Sequence, residues 1–188
     1  MKSFFIPVCS LLIACSGISA TQAQSKQADK AILKPVKAII PAIRANKDAQ
    51  VWQNVNLDAV SRYLLQDWYQ GSTETQRKEF ARLFQPLFTK MVFPRVRENL
   101  KNLSSQVYDP PKISGDEATV DSRIELFHEI KKQEIKLRYS LVKEKGTWKV
   151  VDVAVLGGSM MQGSREEHVQ PQLKEGGITA LLGYMQKL

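Results

Sequence analysis

Near the carboxyl end of the chain lies Trp148-Lys149-Val150-Val151-Asp152-Val153-Ala154-Val155-Leu156-Gly157-Gly158-Ser159-Met160-Met161. Its first eight residues are mostly apolar and β-branched, which predicts a strand. The pair Gly157-Gly158 predicts a turn, because glycine lets the backbone bend where a strand gives way to a helix. Ser159 is a residue type that caps helix N-termini. The segment is therefore predicted to be strand, turn and helix, and the fold class depends on what this strand pairs with.

Two earlier segments alternate between apolar and polar residues with the period of a β-strand that has one wet face. The inward positions of the first are Ala118, Val120, Ser122, Ile124 and Leu126. Those of the second are Ile135, Leu137, Tyr139 and Leu141. Lys145-Gly146 predicts the turn into the third strand, and a weaker strand is predicted at 104–108. Short connections make such neighbours antiparallel, so we predict a curved antiparallel sheet of about four strands.

Helical patterns precede and follow these strands. Residues 57–70 place Leu57, Val60, Leu64 and Trp68 on one face. Thr73-Glu74-Thr75-Gln76 has the capping-box pattern and opens a long apolar helix. A last amphipathic helix follows Gly176-Gly177. We therefore predict a single α+β domain, with helices packed on the curved sheet. Whether an apolar pocket lies between the two layers is left open by these patterns.

The amino terminus has the pattern of an export signal. Residues 1–23 combine an early lysine, an apolar stretch too short to span a membrane and small residues before a predicted cut after Ala23. Leu12-Ile13-Ala14-Cys15 leaves an alternative open, in which Cys15 is acylated and anchors the chain. Residues 24–49 are expected to be a polar linker and a helix weakened by two prolines, and residues 50–188 the folded domain. We thus expect a periplasmic protein, either soluble or lipid-anchored.

The chain is basic, with 27 lysines and arginines against 19 acidic residues and a net charge of +8. An exported protein meets little nucleic acid, so we expect no nucleic-acid partner. Anionic lipid headgroups are a more natural partner for such a charge. Solubility alone is the other explanation of the same balance.

A catalytic or metal-binding set of residues is not evident. His128 and His168 lack a second ligand at metal spacing, and Gly157-Gly158-Ser159 lacks the trailing glycine of a serine-nucleophile elbow. Asp152, which breaks the alternation of its strand, is the single candidate for a pocket carboxylate. We predict no catalytic residue, no metal and no cofactor. The bulky aromatic residues and methionines of the helices are then either plain core or the wall of a cavity.

Two parts of the chain resemble the MlaC family of periplasmic phospholipid-binding proteins, also called toluene-tolerance auxiliary proteins. One is the helix pair of residues 57–69 and 72–80. The other is the run 146–153 followed by Gly157-Gly158-Ser159-Met160, which is similar to the family's Gly-x-Trp-Lys-Val-x-Asp-Val and Gly-Val-Ser-Leu. Arg165 and residues 176–182 resemble the family's closing segment. The resemblance covers residues 50–188, and Gly158 and residues 162–165 depart from the family pattern.

The resemblance implies a carrier that binds a glycerophospholipid in an apolar cavity and shuttles it between the outer and inner membranes. Its partners would be an outer-membrane lipoprotein complex and an inner-membrane ABC transporter complex with an MCE-domain ring, which the carrier serves as an auxiliary component. The residues expected to contact the lipid are Val60, Leu64, Trp68, Phe80, Leu83, Phe84, Leu87, Phe88, Val92, Ile124, Leu126, Leu137, Tyr139, Val153, Val155 and Met160.

Two other functions remain open at this point. A small envelope hydrolase or isomerase would use a pocket carboxylate, for which Asp152 is the candidate. An envelope interaction module that binds no lipid would have a core filled by its own side chains. A cavity large enough for hydrocarbon distinguishes the carrier from this last alternative.

Overall fold

The computed structural model describes residues 17–128 and 131–188. Its α-helices are α1 (Gly17–Arg44), α2 (Asp48–Gln53), α3 (Leu57–Leu65), α4 (Asp67–Gly71), α5 (Glu74–Asn99), α6 (Met160–Ser164) and α7 (Gln170–Met185). A π-helical segment, Arg165–Val169, joins α6 to α7. The strands are β1 (Leu103–Tyr108), β2 (Lys112–Ser114), β3 (Glu117–His128), β4 (Lys131–Glu144), β5 (Thr147–Val155) and β6 (Gly158–Ser159). The predicted mixture of helices and an antiparallel sheet is confirmed.

The sheet runs in the order β1-β3-β4-β5-β6, all neighbours being antiparallel, and β2 pairs with the other end of β3. The described sheet thus has six strands where about four were expected. The two extra strands are β2 and β6, which have three and two residues and are too short to show an alternating pattern. The predicted alternation of β3 and β4 is confirmed, since Val120 lies opposite Tyr139 and both side chains are buried.

A bulge interrupts the pairing of β4 with β5. Ser140 lies opposite Asp152 but Leu141 lies opposite Val150, so Val151 is an extra residue without a partner in the register. A bulge bends its strand and re-aims the side chains around it. This explains why β5 does not follow the strict alternation of its neighbours.

Helix α5 begins at the predicted capping box. The Thr73 hydroxyl accepts the backbone N–H of Gln76 at 3.2 Å, and the Gln76 side chain accepts the backbone N–H of Thr73 at 2.9 Å. Pro86 and Pro94 lie inside the helix and do not end it. A proline in a helix interior costs about 3 kcal/mol, so packing must offset that cost. Burial of the aromatic residues of α5 supplies such packing.

The helices close two apolar cores. In the first, α1 and α2 cover the inner face of the sheet, with Ile32, Val36 and Tyr139 almost fully buried. In the second, α3, α5 and α7 pack on one another around Leu64 and Phe80. The side chains of Trp52 and Phe88 pack against both cores. Apolar packing is therefore continuous from the sheet to α7.

The first helix is longer than expected. Residues 24–29 belong to α1, where a polar linker was predicted, because the segment contains no glycine or proline and continues into the buried face of the helix. Pro35 and Pro41 also lie within α1. The apolar part of the predicted export signal and Cys15 lie outside the described residues. In the part of the chain that the structure describes, no helix is both long and apolar enough to span a membrane.

Residues 57–70, predicted as a single helix, form two. Gln66 has a φ of +48° and separates α3 from α4. Asn56 caps α3, since its side-chain oxygen accepts the backbone N–H of Ala59 at 3.0 Å. The change of direction at Gln66 carries Trp68 to the backbone of Gly177, where a Cβ atom would lie 2.8 Å from the indole ring.

The closing segment confirms the cap predicted at Ser159, whereas Ser164-Arg165-Glu166-Glu167, which also has the sequence pattern of a capping box, does not act as one. The Ser159 hydroxyl accepts the backbone N–H of Gln162 at 2.9 Å and begins α6. The Ser164 hydroxyl donates to the Met160 carbonyl at 2.8 Å instead of accepting a backbone N–H. The chain continues through the π-helical segment without a new N-terminus. A local motif is not enough to begin a helix where the preceding turn is already helical.

Candidate functional site: an apolar cavity between the sheet and the helices

An apolar cavity of about 190 Å³ lies between the inner face of the sheet and helices α1, α2, α3, α5 and α6. Strands β3, β4 and β5 supply one wall, and the helices supply the others. The described residues around it are Ile39, Ile40, Ile43, Val51, Trp52, Val55, Val60, Phe88, Val92, Phe93, Val96, Asn99, Leu100, Ile124, Leu126, Ile135, Leu137, Tyr139, Val150, Val151, Asp152, Val153, Val155, Met160 and Met161. Nearly all of these side chains are aliphatic or aromatic. Such a surface suits hydrocarbon and offers little to a polar ligand.

The bulge in β5 shapes the sheet side of this cavity. In a regular strand, successive side chains point to opposite faces of the sheet. Around the extra residue Val151, however, four consecutive residues, Val150 to Val153, all border the cavity. Val155, two residues further on, also borders the cavity and is 38% exposed, which puts it at the rim.

Three aromatic rings pack together in the helical wall of the cavity. The ring of Trp52 is stacked on Phe93 at 6.0 Å between centroids and meets the edge of Phe88 at 5.9 Å. Phe88 and Phe93 are themselves 6.1 Å apart in an edge-to-face arrangement. The indole N–H of Trp52 donates to the Thr89 hydroxyl at 2.8 Å, which holds the ring in place. The three rings and this hydrogen bond thus fix α2 against α5 on the helical side of the cavity.

Two polar side chains in the cavity wall, Tyr139 and Asp152, form hydrogen bonds with other parts of the protein. Tyr139 is 1% exposed, its hydroxyl lies 3.4 Å from the donating Gln106 amide, and burial raises its pKa well above the usual range. It therefore remains neutral at physiological pH. Asp152 accepts the backbone N–H of Met161 at 3.0 Å and so ties β5 to the start of α6. This contact gives Asp152 a structural role in the described part of the chain.

The described residues provide no cluster of side chains that could bind a metal ion. Within residues 17–128 and 131–188, the structure contains no group of three or more histidine, cysteine, aspartate or glutamate residues that could hold a metal ion.

Ten of the sixteen residues expected to contact lipid border this cavity. They are Val60, Phe88, Val92, Ile124, Leu126, Leu137, Tyr139, Val153, Val155 and Met160. Their contact with lipid itself stays a prediction.

The other six residues lie elsewhere. Phe84 and Leu87 border a neighbouring second cavity between α5 and α7. Leu64, Phe80 and Leu83 pack in the core between the helices. Trp68 is 46% exposed and packs on Gly177. Helical periodicity groups residues on a face, but it does not say which neighbour that face meets, and this is why filled core and cavity wall were not separated.

Sequence reasoning missed the contribution of the first helices. Ile39, Ile40 and Ile43 of α1 and Trp52 of α2 border the cavity. The apolar spacing of α1 was visible in the sequence, but its prolines weakened the prediction of a continuous helix. Nothing in the local pattern placed that helix over the sheet.

Comparison with known proteins agrees with this architecture. The family model described as MlaC protein matches residues 20–187. No curated protein sequence matches the chain significantly.

A solved structure of a phospholipid-binding protein from Ralstonia solanacearum, in complex with a phospholipid, is similar to this chain with a TM-score of 0.60 and 17% identity. The match covers 89% of this chain and 94% of that one. At this identity the likeness shows a shared fold. A protein of unknown function from Mycobacterium tuberculosis matches with a TM-score of 0.37 and 10% identity over 93% and 94% of the two chains, too low to support an argument. The family match spans nearly the whole sequence, and the chain therefore belongs to the MlaC family.

Proposed function

We propose that this protein is a phospholipid carrier, which holds the acyl chains in the apolar cavity and leaves the headgroup at its rim. The observation that carries the proposal is a cavity of about 190 Å³ with an almost wholly apolar lining between the sheet and the helices. Membership of the MlaC family supports it, as does the bound phospholipid in the Ralstonia solanacearum structure of the same fold.

The energetics of transfer explain why an apolar container suffices. A phospholipid has about 30 methylene groups, and each costs roughly 0.8 kcal/mol in water, on the order of 24 kcal/mol in total. A free lipid therefore does not cross an aqueous gap at a useful rate. A carrier has only to offer an environment similar to the bilayer, because the lipid then passes from one apolar site to another. Such a task requires no catalytic residue.

We further propose that the chain works in the periplasm of a Gram-negative cell, exported by the signal of residues 1–23. There it would pass lipid between an outer-membrane lipoprotein complex and an inner-membrane ABC transporter complex with an MCE-domain ring. An acylated Cys15 would instead anchor it to a membrane. Labelling with radioactive palmitate distinguishes the two, since only an acylated chain takes up the label.

Native mass spectrometry tests lipid binding directly. The full chain, exported and purified from a Gram-negative host, is expected to carry co-purified phospholipid. Val153→Phe places a ring in the cavity from β5 and is expected to lower occupancy at least tenfold. The matched control is Val107→Phe on β1, where the side chain is 52% exposed and lies outside the cavity lining. That variant should carry as much lipid as the wild type.

A wild-type protein with a clean apo mass, which also takes up no phospholipid from vesicles, would contradict the proposal. Equal lipid occupancy in all three proteins would show that lipid binds elsewhere on the surface. In either case the cavity would lose its assigned role.

A further inference from the structure

A second cavity, of about 240 Å³, lies beside the first, between α5 and the closing helices. Its apolar side includes Phe84 and Leu87 of α5 and Leu181 of α7, and Gly163 of α6 borders it as well. Polar side chains border it too, among them the exposed Glu167. This cavity is thus an apolar chamber with polar groups at its edge.

The two cavities follow one another along a single stripe of α5. Phe84, Phe88, Val92 and Val96 are four residues apart and therefore share one face of the helix. The second cavity borders the first three of these residues. The first cavity, between the sheet and the helices, is called the main cavity, and it borders the last three. At 1.5 Å per residue this stripe is about 18 Å long. Hydrocarbon laid along α5 therefore has continuous apolar surface to follow.

The two cavities share part of their lining. Phe88, Val92 and Met160 border both of them. Met160 is only partly buried, and methionine has three rotatable bonds that let it fill or vacate irregular space at low cost. Of the three shared side chains, Met160 is therefore the one that a change of rotamer most easily moves away from the boundary between the cavities.

The volumes suggest why both chambers are needed. Pockets for drug-sized ligands usually measure about 300–1,000 Å³. The cavities, at about 190 and 240 Å³, are each smaller than this range, whereas their combined volume falls within it. A lipid with two acyl chains is larger than a typical drug molecule.

We propose that a two-chain lipid divides its acyl chains between the two cavities, with Met160 as the movable partition. This inference rests on the proposed function and adds a second binding chamber to it. The glycerol would straddle Met160, and each chain would follow α5 in an opposite direction. A lipid with one chain would need only the main cavity.

Gly163 offers a clean way to fill the second chamber. Gly163 borders the second cavity and does not belong to the described lining of the main cavity. No heavy atom lies within 4 Å of the position that its Cβ would occupy. Gly163→Phe should therefore fold and project a ring into the second cavity. Gly183→Phe is the matched control, since Gly183 is also helical and unobstructed but borders neither cavity.

Binding of two probes to delipidated protein gives the test: a diacyl phosphatidylglycerol and the corresponding lysophosphatidylglycerol. In Gly163→Phe we expect diacyl lipid to bind at least tenfold more weakly and the lysolipid to stay within twofold of wild type. In Gly183→Phe both lipids should bind as in wild type. As an independent check, Leu87→Ala enlarges the second chamber and should shift co-purified lipids towards longer chains.

Unchanged diacyl binding in Gly163→Phe, or an equal loss of both lipids, would overturn the two-chamber proposal. Either result leaves the carrier function intact, provided that wild type binds lipid. Failure of wild type to bind either probe would instead contradict the carrier function itself.

Discussion

The contact between Trp68 and Gly177 leads to a quantitative prediction for Gly177→Ala. Gly177 has a φ of +68° and a ψ of −160°, a conformation that is essentially restricted to glycine. Forcing a side chain into such a conformation costs about 1–3 kcal/mol. The new Cβ would also lie 2.8 Å from Cζ3 and 3.1 Å from Cη2 of Trp68, so the ring has to move. Overpacking of this kind costs about 1–3 kcal/mol, and the half-exposed ring favours the lower end.

We therefore expect Gly177→Ala to lower the free energy of unfolding by about 2–4 kcal/mol. Urea unfolding followed by circular dichroism measures this free energy. The protein is delipidated first, because bound lipid would add its own stabilisation. Gly183→Ala is the control: its Cβ meets nothing within 4 Å and should stabilise the helix by about 0.5–1 kcal/mol. Adding Trp68→Ala to Gly177→Ala removes the clash and leaves the backbone strain, so the double-mutant cycle separates the two. A Gly177→Ala protein as stable as wild type would refute the reasoning.

Three further predictions follow from single contacts. Thr73→Ala removes the cap that holds Gln76 and should lower the free energy of unfolding by about 1 kcal/mol in urea titrations; no loss would contradict the cap. The hydrogen bond from Arg138 is the largest cause of the lowered pKa of Asp121. The ionised Asp121 carboxylate therefore stabilises the fold at neutral pH, and this stabilisation is lost as pH falls through the lowered pKa. The stability difference between wild type and Asp121→Asn should therefore shrink in acid, and a constant difference from pH 7 to pH 3 would refute this. Asp152→Ala should keep its lipid by native mass spectrometry, whereas loss of lipid at unchanged stability would give that carboxylate a direct role.

Local patterns in the sequence were enough for much of the fold. Alternation in β3 and β4 predicted which side chains of the sheet are buried, and the register confirms it for Val120 and Tyr139. The capping box at Thr73 and the cap at Ser159 appear as predicted. These features depend on residues a few positions apart along one chain segment. A short segment carries all the information that they need.

The cavity depends on contacts that no short segment contains. The bulge at Val151 aims consecutive residues of β5 inward, α1 lies over the sheet despite its prolines, and Trp52 lies between the two cores. Helical periodicity marked Trp68 and Phe88 alike as apolar, but only Phe88 borders the cavity. Whether an apolar side chain fills a core or faces a hollow is set by the distance to residues far away in sequence. That distance results from how complete helices and the sheet pack together, and so it is a property of the folded chain rather than of any one pattern within it.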